Sequence, residues 1–474
     1  MKTIHCAAVD LGATSGRVIV GSWNGRRLDL TEIRRFPNAF HDLAGRAYWN
    51  LGGLWHEVRT GLIEARKRFP KLASVGIDTW GVDHVLVDDD GRLVYPPHAY
   101  RDSRTRHGLK RLGNTRAALE RVYQATGIPN VFYNTSLQLE ETVASSPAVA
   151  DSATRCLFLP DYFNFLLSGR MENEISMAST TQLLDVQTGD WSRATLDHFH
   201  IPPHWFTKPI KADTVLGSAK CVPELKGVKV VAVAGHDTAS AYAAMPTTGD
   251  GDDLYISSGT WSLVGFESDA PLLGPDALAA RVANERMGDG RFRPLTNVIG
   301  LWLLEQTLRD LDQRPCNDRE WAALVAQASE RPAPTRLLDT SDPAFVNPKS
   351  MRAAVDAHLK KLRQPIPKDC AGYVRLICDS LGRGHAEVAA TFQRLSGRAF
   401  KRILMVGGGS RNTLLCQATA DAAGIPLHAF ELEGTAVGNI ASQLVALKAV
   451  KNLAAFRGLL ARRISPRIHE PTSR

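Results

Sequence analysis

Several common sequence signals are missing here, and their absence narrows the possible functions. No run of 18 apolar residues occurs, and His5 and Asp10 interrupt the N-terminal apolar stretch, so neither a membrane span nor a secretory leader is predicted. The net charge of +8 is spread over 474 residues without a Lys/Arg block, which argues against nucleic acid as a partner. We therefore expect neither a membrane nor a nucleic-acid partner. The oligomeric state stays open.

Cysteine is sparse and unpatterned. The seven cysteines are scattered and include no Cys-x-x-Cys, so neither a disulfide framework nor a zinc site is predicted. His198 and His200 have no carboxylate or cysteine at metal-ligand spacing nearby. We expect a reducing compartment, the cytoplasm.

The usual nucleotide-binding and hydrolase motifs are also absent. The chain contains no G-x-x-x-x-G-K-[ST], and no G-x-G-x-x-G follows a strand-like run, which argues against P-loop and Rossmann domains. No G-x-S-x-G is present either. Any nucleotide site must therefore be of another kind.

The segments that remain alternate between strand and helix patterns. Leu51, Leu54, Val58 and Leu62 lie at helical spacing. The apolar run "VKVVAVAG" leads into the Ala-rich "HDTASAYAAM", and "KRILMVGGGSRNTLLCQATADAAG" repeats that order. This alternation predicts an α/β fold. The polar tail "RRISPRIHEPTSR" is expected to be poorly ordered.

An internal echo indicates two related domains. The opening "AAVDLGATSGRVIVG" and the later "DLYISSGTWSLVGFE" both place a bend rich in glycine and hydroxyls between apolar strands. The length also exceeds one ordinary core. The Pro, Gly and Asp residues of "MPTTGDGDD" are typical of a loop between domains. We therefore predict an N-terminal domain of residues 1–243 and a C-terminal domain of residues 244–474, facing a shared cleft.

The two bends are suited to phosphate. Turns of small residues expose backbone N–H groups and hydroxyls, which bind phosphate oxygens. Arg17 adds positive charge, and Asp10 is a candidate for holding hydrated magnesium beside the phosphates. A plain structural hairpin is the alternative, but the duplication favours phosphate binding. The glycines of "MVGGGSRN" would let a flat ring or a phosphate approach the backbone, although glycine triplets also serve packing.

Two acidic stretches follow apolar runs. Asp237 in "GHDTAS" lies just past a strand, where ligands bind in open α/β sheets, and it is a candidate general base; the alternative is a helix N-cap. In "GIDTWGVDH", Asp78 and Asp83 flank Trp80, a combination that suits a polyhydroxyl ligand. A buried Trp with turn aspartates is the alternative there.

Together these segments resemble the carbohydrate kinases of the FGGY family. The resemblance rests on "VDLGATSGRV", "GIDTWGVD", "YRDSRT", "LPDYF", "GHDTASA", "SSGTWSLVGFE", "NVIGLWLLE", "NPKSM" and "VGGGSRNTLL", in that order, to about residue 440. It implies an actin-like ATPase fold, with two ribonuclease-H-like domains flanking a central cleft. It also implies transfer of the γ-phosphoryl group of MgATP to the C1 hydroxyl of L-rhamnulose, giving L-rhamnulose 1-phosphate and ADP. Another ketose such as L-fuculose or a xylulose, or a non-kinase actin-like ATPase or sensor, is the alternative.

The resemblance also implies roles for particular residues. Asp237 would accept the proton, and Mg²⁺ would accompany ATP near Asp10. The implied ATP contacts are Ala13, Thr14, Ser15, Gly16, Arg17, Gly259, Thr260, Gly407 and Gly408. The implied sugar contacts are Gly81, Asp83, His236, Asp237, Thr238 and Asn297. Glu305 stands where relatives carry a glutamine near the nucleotide, and an ionised carboxylate cannot donate a hydrogen bond there.

Overall fold

The structure is a computed structural model and describes residues 3–106, 115–247 and 251–472. The strands are β1 Ile4–Leu11, β2 Ser15–Trp23, β3 Leu28–Pro37, β4 Phe40–Leu43, β5 Arg46–Trp49, β6 Leu72–Thr79, β7 His84–Val87, β8 Arg155–Phe158, β9 Thr214–Ser218, β10 Lys229–Ala232, β11 Asp253–Ser258, β12 Trp261–Gly265, β13 Ala283–Arg286, β14 Phe292–Ile299, β15 Arg402–Val406, β16 Leu427–Ala429 and β17 Arg467–His469. The helices are α1 Leu51–Arg68, α2 Arg116–Thr126, α3 Thr135–Ser145, α4 Pro147–Ser152, α5 Leu159–Ser168, α6 Ile175–Ala178, α7 Arg193–His198, α8 Asp237–Ala243, α9 Pro275–Ala279, α10 Leu301–Asp310, α11 Asp318–Ser329, α12 Met351–Lys361, α13 Cys370–Ser396, α14 Thr413–Ala423, α15 Gly434–Ala446 and α16 Leu453–Ala461. None of these helices has the length and apolar content needed to cross a membrane, as far as the described residues go.

The chain packs into two compact units that are discontinuous in sequence. The described residues of the first unit lie within Met1–Ala244, Glu267–Pro294 and Gly434–Leu459. Those of the second unit lie within Met245–Phe266, Leu295–Glu433 and Leu460–Arg474. The boundary after residue 243 stays a prediction for the linear division of the chain. Its "TGD" at residues 248–250 lies outside the described residues.

The sheet of the first unit has the strand order β3-β2-β1-β6-β10-β9. Strands β3, β2 and β1 are antiparallel neighbours, β1, β6 and β10 are parallel, and β9 pairs antiparallel with β10. Helix α1 packs on this sheet through Leu51, Leu54, Val58 and Leu62, all of which are buried. The helical spacing noted in the sequence therefore marks the buried face of α1.

The sheet of the second unit repeats this arrangement. Its strands β14, β12, β11, β15, β16 and β17 follow one another in hydrogen-bonded order. The first three are antiparallel neighbours, β11, β15 and β16 are parallel, and β17 pairs antiparallel with β16. The order and direction of these six strands match the six strands of the first sheet, and β13 is a seventh strand beside β14. The match confirms the predicted α/β class and the two-domain duplication.

The expectation of a poorly ordered tail was wrong for part of that segment. Residues Arg467–His469 form β17 at the edge of the second sheet, with Leu427 paired to His469. The His469 side chain is buried. An edge strand of three residues carries too little apolar pattern to be recognised in the sequence.

Helix α15 belongs to the first unit and packs beneath the ends of β1 and β6. Gly438 lies so close to α8 that an added Cβ would meet the Ser240 carbonyl oxygen at 1.8 Å. Gln443 donates to the carbonyl of Ala7 at 2.9 Å and accepts from Ser74 at 2.7 Å. This buried polar contact fixes the helix against the two strands that carry the acidic residues described below.

Candidate active site

The bend between β1 and β2 presents free backbone donors. The Gly12 amide donates to the Ser15 carbonyl at 2.9 Å, and Asn38 binds the carbonyls of Gly12 and Thr14 at 2.8 and 3.0 Å. The amides of Ala13 and Thr14 donate to no described residue. Because Asn38 binds the carbonyl groups of the bend, its N–H groups remain available to a ligand, as the predicted phosphate binding requires.

Two further residues of this hairpin have defined surroundings. An added Cβ on Gly16 would meet the Phe36 ring at 2.2 Å, so glycine is needed where the strand crosses that ring. Arg17 donates to Asp10 at 2.5 Å across the β1–β2 pair. The Asp10 carboxylate is thus held in place by the positive charge predicted to meet phosphate.

Three carboxylates of the first unit interact at this end of the sheet. Asp10 on β1 is the register partner of Asp78 on β6. The Thr79 amide donates to the Gly235 carbonyl at 2.8 Å, which brings the start of α8, and Asp237 with it, to the end of β6. The sequence analysis paired Asp78 with Asp83 as candidates for a polyhydroxyl ligand and did not place Asp78 beside Asp10. Its signal was available, because it ends an apolar strand as Asp10 does.

Asp78 is buried close to two other negatively charged carboxylates. Burial raises its pKa well above the ordinary value, and the negative charges of Asp10 and Asp237 add to the effect. Asn439 from α15 donates to Asp78 Oδ2 at 2.6 Å. Asp78 Oδ1 is buried without a hydrogen-bond partner among the described residues. A cation here would relieve both the charge repulsion and the unsatisfied oxygen.

Magnesium fits this donor set as a hydrated ion. In the described part of the chain no three His, Cys, Asp or Glu side chains converge closely enough to hold a metal alone. Mg²⁺ retains waters and is commonly bound by one or two carboxylates together with phosphate oxygens. Asp10 and the unsatisfied oxygen of Asp78 suit that mode.

Asp237 begins helix α8 with one carboxylate oxygen free. His236 occupies the N-cap position, so the N-cap alternative for Asp237 is wrong by one residue. Asp237 Oδ1 accepts from the amide of Thr238 at 2.5 Å and from its hydroxyl at 3.1 Å. Oδ2 has no donor within the described residues, and the side chain is 31% exposed. The arrangement leaves an oxygen available to receive a proton.

His236 lies in a buried charged cluster. Its Nδ1 is 2.5 Å from Nη2 of Arg293 and 3.1 Å from Oε2 of Glu285. Arg293 also binds Glu285 directly. Nε2 of His236 is 3.4 Å from Asp237 Oδ1. Sequence reasoning missed Glu285 and Arg293, because β13 and β14 carry no recognisable motif there.

The segment after β6 carries backbone strain. Val82 has a φ of 67°, a conformation that is costly for a β-branched residue. Its amide donates to the Thr180 hydroxyl oxygen at 3.2 Å, and its carbonyl accepts from the Thr135 hydroxyl at 2.6 Å. An added Cβ on neighbouring Gly81 would lie 3.2 Å from Nε2 of His236. The strained turn therefore brings Gly81 against the histidine ring.

Asp83 is an internal anchor in the structure. Its Oδ2 accepts from the indoles of Trp49 and Trp80 at 2.6 and 2.8 Å and from the Tyr100 amide at 3.2 Å. Its Oδ1 accepts from Gln138 at 3.2 Å. Burial raises the pKa of Asp83 to about 6 despite these donors. The carboxylate fixes both tryptophans, and a direct sugar contact by Asp83 stays a prediction.

A second buried carboxylate supports the loop before Asp237. Glu174 Oε2 accepts from the amides of Ser176, Met177 and Gly235 at 3.0, 3.2 and 3.0 Å. Burial raises the pKa of Glu174 to about 7 against the effect of these donors. Neighbouring Asp161 is also buried, and its pKa is raised by burial and then by the charge of Glu174. Glu174 thus ties the loop to α6.

The bend between β11 and β12 in the second unit is anchored differently. The amides of Leu301 and Trp302, at the start of α10, donate to the carbonyls of Gly259 and Thr260 at 2.8 and 3.2 Å. An added Cβ on Gly300 would meet the Gly259 carbonyl oxygen at 2.6 Å. The Thr260 amide donates to no described residue. This bend too presents an N–H group to a ligand.

The glycine triplet lies beside this second bend. Gly407 has a φ of 88°, and an added Cβ would meet the Ser258 carbonyl oxygen at 2.5 Å. Gly408 is exposed, and Leu301 of α10 is the nearest neighbour of its hypothetical Cβ, at 3.6 Å. The second unit thus brings together Gly259, Thr260, Gly407 and Gly408.

Two predicted residues lie on adjacent elements of the second unit. Glu305 is on the second turn of α10, 36% exposed and 3.8 Å from Arg314. Asn297 is exposed on β14, opposite Leu263 of β12. Neither side chain shares a hydrogen bond with the bend or the glycine triplet in the described part of the chain.

Comparisons with known proteins agree with this arrangement. The N-terminal domain of the FGGY family of carbohydrate kinases matches residues 5–243, and its C-terminal domain matches residues 254–447. The rhamnulokinase of Klebsiella pneumoniae subsp. pneumoniae is 40% identical over 459 residues, which cover 96% of this chain and 92% of that protein.

Solved structures show the same fold at low sequence identity. A glycerol kinase of Plasmodium falciparum with ADP has a TM-score of 0.82 at 13% identity, covering 99% of this chain and 94% of that one. A ligand-bound xylulose kinase of Lactobacillus acidophilus has a TM-score of 0.80 at 16% identity, with the same coverage. From the two domain matches and the 40% relative, this chain belongs to the FGGY family of carbohydrate kinases.

Proposed function

We propose that this chain transfers the γ-phosphoryl group of MgATP to the C1 hydroxyl of L-rhamnulose, giving L-rhamnulose 1-phosphate and ADP. The choice of sugar is supported by the rhamnulokinase relative, which is 40% identical along nearly the whole chain. The observation that carries the mechanism is the free Oδ2 of Asp237, beside His236 and at the end of β6.

Asp237 acts as the general base. As the sugar oxygen forms its bond to the γ-phosphorus, the bond from that phosphorus to the β–γ bridging oxygen breaks and ADP leaves. The hydroxyl proton passes to Asp237 Oδ2, so the charges balance without a further reactant. In phosphoryl transfer the protein mainly positions the groups and stabilises charge, and the base accepts its proton late.

The phosphates are bound by backbone donors and charge. The bend of residues 12–15, with Arg17, and the Gly259–Thr260 bend supply those donors, and Gly407 and Gly408 leave space for the adenosine. Asp10, with Asp78, would hold hydrated Mg²⁺, which when bound neutralises phosphate charge. Arg17 then keeps Asp10 oriented in the absence of nucleotide, as the 2.5 Å ion pair supports.

The sugar is bound by groups around Asp237. His236, Thr238 and Gly81 are the nearest candidates, and Asn297 is assigned to the sugar by resemblance alone. Trp80, held by Asp83, is buried against Trp49, with ring centres 4.3 Å apart, and supports the turn that carries Gly81. The unpaired cysteines are consistent with action in the cytoplasm.

A ketose panel tests this assignment. Purified chain is incubated with MgATP and L-rhamnulose, L-fuculose, D-xylulose or L-xylulose, and ADP release is followed in each case. We expect L-rhamnulose to give the highest kcat/KM. A clearly higher value for another ketose replaces the substrate and keeps the kinase. ATP hydrolysis that no sugar alters favours the non-kinase ATPase instead.

A further inference from the structure

His236 contacts charged side chains from β13 and β14, two strands that no motif marks. Arg293 is completely buried, and Glu285 is nearly so. Arg293 Nη2 contacts both Glu285 Oε2 and His236 Nδ1, the latter at 2.5 Å. The guanidinium is further held by the Arg286 carbonyl, which accepts from Nε at 3.1 Å, and it lies 5.7 Å from the centre of the Tyr242 ring.

The arginine decides which imidazole nitrogen carries the proton. A guanidinium donates hydrogen bonds and does not lose its protons in proteins. An N–H group aimed at His236 Nδ1 from 2.5 Å therefore needs a lone pair there. A proton on Nδ1 would point at Glu285 but would also face the arginine hydrogens. Nδ1 thus accepts, and in the neutral ring the proton lies on Nε2.

Glu285 stabilises this arrangement because its negative charge neutralises the buried Arg293 cation. Burial alone would raise the pKa of Glu285, but the adjacent Arg293 holds it at about 2. The ion pair is then neutral overall, and within the described ranges Asp237 is the other ionisable group within ion-pair distance of His236. Arg293 Nη1 remains buried without a partner among the described residues. A well-packed apolar pair would be at least as stable, so stability alone does not account for the pair.

The other side of the ring faces the proposed sugar site. Nε2 is 3.4 Å from Asp237 Oδ1 and would be 3.2 Å from a Cβ on Gly81. We propose that Arg293 and Glu285 are positioning residues that keep Nδ1 of His236 as an acceptor and a proton on Nε2, so that this N–H donates to an acceptor oxygen of the sugar beside the base. The identity of that acceptor rests on the proposed function. The position of the proton does not.

Nitrogen NMR of the free, full-length chain tests the proton position directly. The protein is labelled with ¹⁵N-histidine, and the His236 signals are assigned by their loss in His236→Asn. We expect a protonated Nε2 and an unprotonated Nδ1 in the wild type at pH 7.5. In Arg293→Met we expect that preference to be lost, and in Arg293→Lys we expect it to be kept, because an ammonium still donates to Nδ1. A wild-type ring protonated on Nδ1 overturns the proposal.

Kinetics separate positioning from structural support. Arg293→Met is expected to raise the KM for the sugar about 10- to 100-fold with the KM for ATP within about twofold, and Arg293→Lys is expected to recover most of the loss. Should Arg293→Met not fold, Glu285→Gln is measured in its place with the same expectation in weaker form. An unchanged His236 tautomer together with an unchanged sugar KM overturns the proposal.

A second buried arginine provides the control. Arg457 donates to the carbonyls of Ala243 and Tyr242 and pairs with Glu267, which Arg291 also contacts at 2.9 Å. Arg457→Met removes a comparable buried cation but is expected to leave the His236 tautomer and the sugar KM unchanged. If wild type turns over none of the ketoses, the proposed function fails, while the NMR result still decides the proton position.

Discussion

The two bends, at Gly12 and at Gly259, share a scaffold and differ in chemistry. Both leave amide donors free, yet the first bend is one residue longer, because Gly12 pairs with Ser15 whereas Gly259 pairs with Trp261. Across the first hairpin the register partners are the ion pair Asp10 and Arg17. At the matching place in the second hairpin they are Ser257 and Leu263.

The same contrast continues along the two sheets. In the first unit the strand ends lead to Asp78 and Asp237, whereas β15 in the second unit leads to Gly407 and its neighbours. In the proposed function, the carboxylates at the first set of strand ends would serve proton transfer and cation binding. The glycines that follow β15 in the second unit leave room for a ligand to approach the backbone. The duplicated fold thus carries acidic groups at one set of strand ends and glycines at the other.

Replacing the proposed base, Asp237, is expected to have the largest effect on activity. A small effect would contradict the proposed difference between the acidic strand ends of the first unit and the glycine-rich strand end of the second. Asp237→Asn keeps the volume of the side chain but cannot accept the proton. We expect kcat to fall about 10³-fold or more, with the dissociation constant for ATP, measured calorimetrically, within about twofold. Turnover close to that of the wild type would remove Asp237 as the base.

The glycine that anchors the second bend is expected to matter more than the glycine of the first. A Cβ on Gly300 would meet three backbone atoms at 2.6–2.8 Å, whereas a Cβ on Gly12 meets only the Ser15 carbonyl oxygen at 3.1 Å. We expect Gly300→Ala to lower the free energy of unfolding by about 3 kcal/mol and Gly12→Ala by about 1 kcal/mol. Urea unfolding of both variants measures this. Equal losses would contradict the tighter packing of the second bend.

The part of the stability that depends on protonated carboxyl groups should arise in the first unit. Among the described residues, every carboxyl group with a raised pKa lies there: Asp78, Asp83, Asp161, Glu174 and Asp213. The pKa of Glu174 is raised from 4.5 to about 7, so the folded state binds the proton more tightly than the unfolded state does. The stabilisation by this proton is complete below pH 4.5 and is lost as the pH rises through 7.

Glu174→Gln tests that contribution. We expect the wild type to lose about 2–3 kcal/mol more stability than the variant between pH 4.5 and pH 8. Urea unfolding curves of both proteins at the two pH values give the difference. Parallel losses in the two proteins would show that the Glu174 proton contributes nothing.

The smallest effects on activity should come from Thr14 and Thr260, one at each bend. Replacing them tests whether the two bends contribute equally to ATP binding. Thr14 and Thr260 are both exposed at their bends. Removal of one hydroxyl donor costs about 1 kcal/mol, so we expect Thr14→Ala and Thr260→Ala each to raise the KM for ATP about fivefold with the sugar KM unchanged. A loss at only one of them would show that the bends do not share the phosphates equally.

Sequence reasoning recovered what is local and missed what is assembled from distant segments. The α/β class, the paired bends, the apolar face of α1 and the strand-to-helix step at Asp237 each follow from contiguous residues. Glu285, Arg293 and Asn439 reach His236 and Asp78 from β13, β14 and α15. No spacing rule connects such separated positions. For Asp83 the sequence left both a polyhydroxyl contact and a buried Trp with turn aspartates open, because its four donors come from separate segments.

The contact between Asn439 and Asp78 has a consequence for synthesis of the chain. The strand that bears Asp78 leaves the ribosome early, but its amide partner and the rest of Gly434–Leu459 emerge only after Met245–Phe266 and Leu295–Glu433 of the second unit. Until then the buried carboxylate has no donor from α15, and the face of the sheet beneath β1 and β6 is uncovered. A nascent chain stopped at the end of the first family domain would therefore expose that face, and the N-terminal half would reach its final packing only once translation is nearly complete.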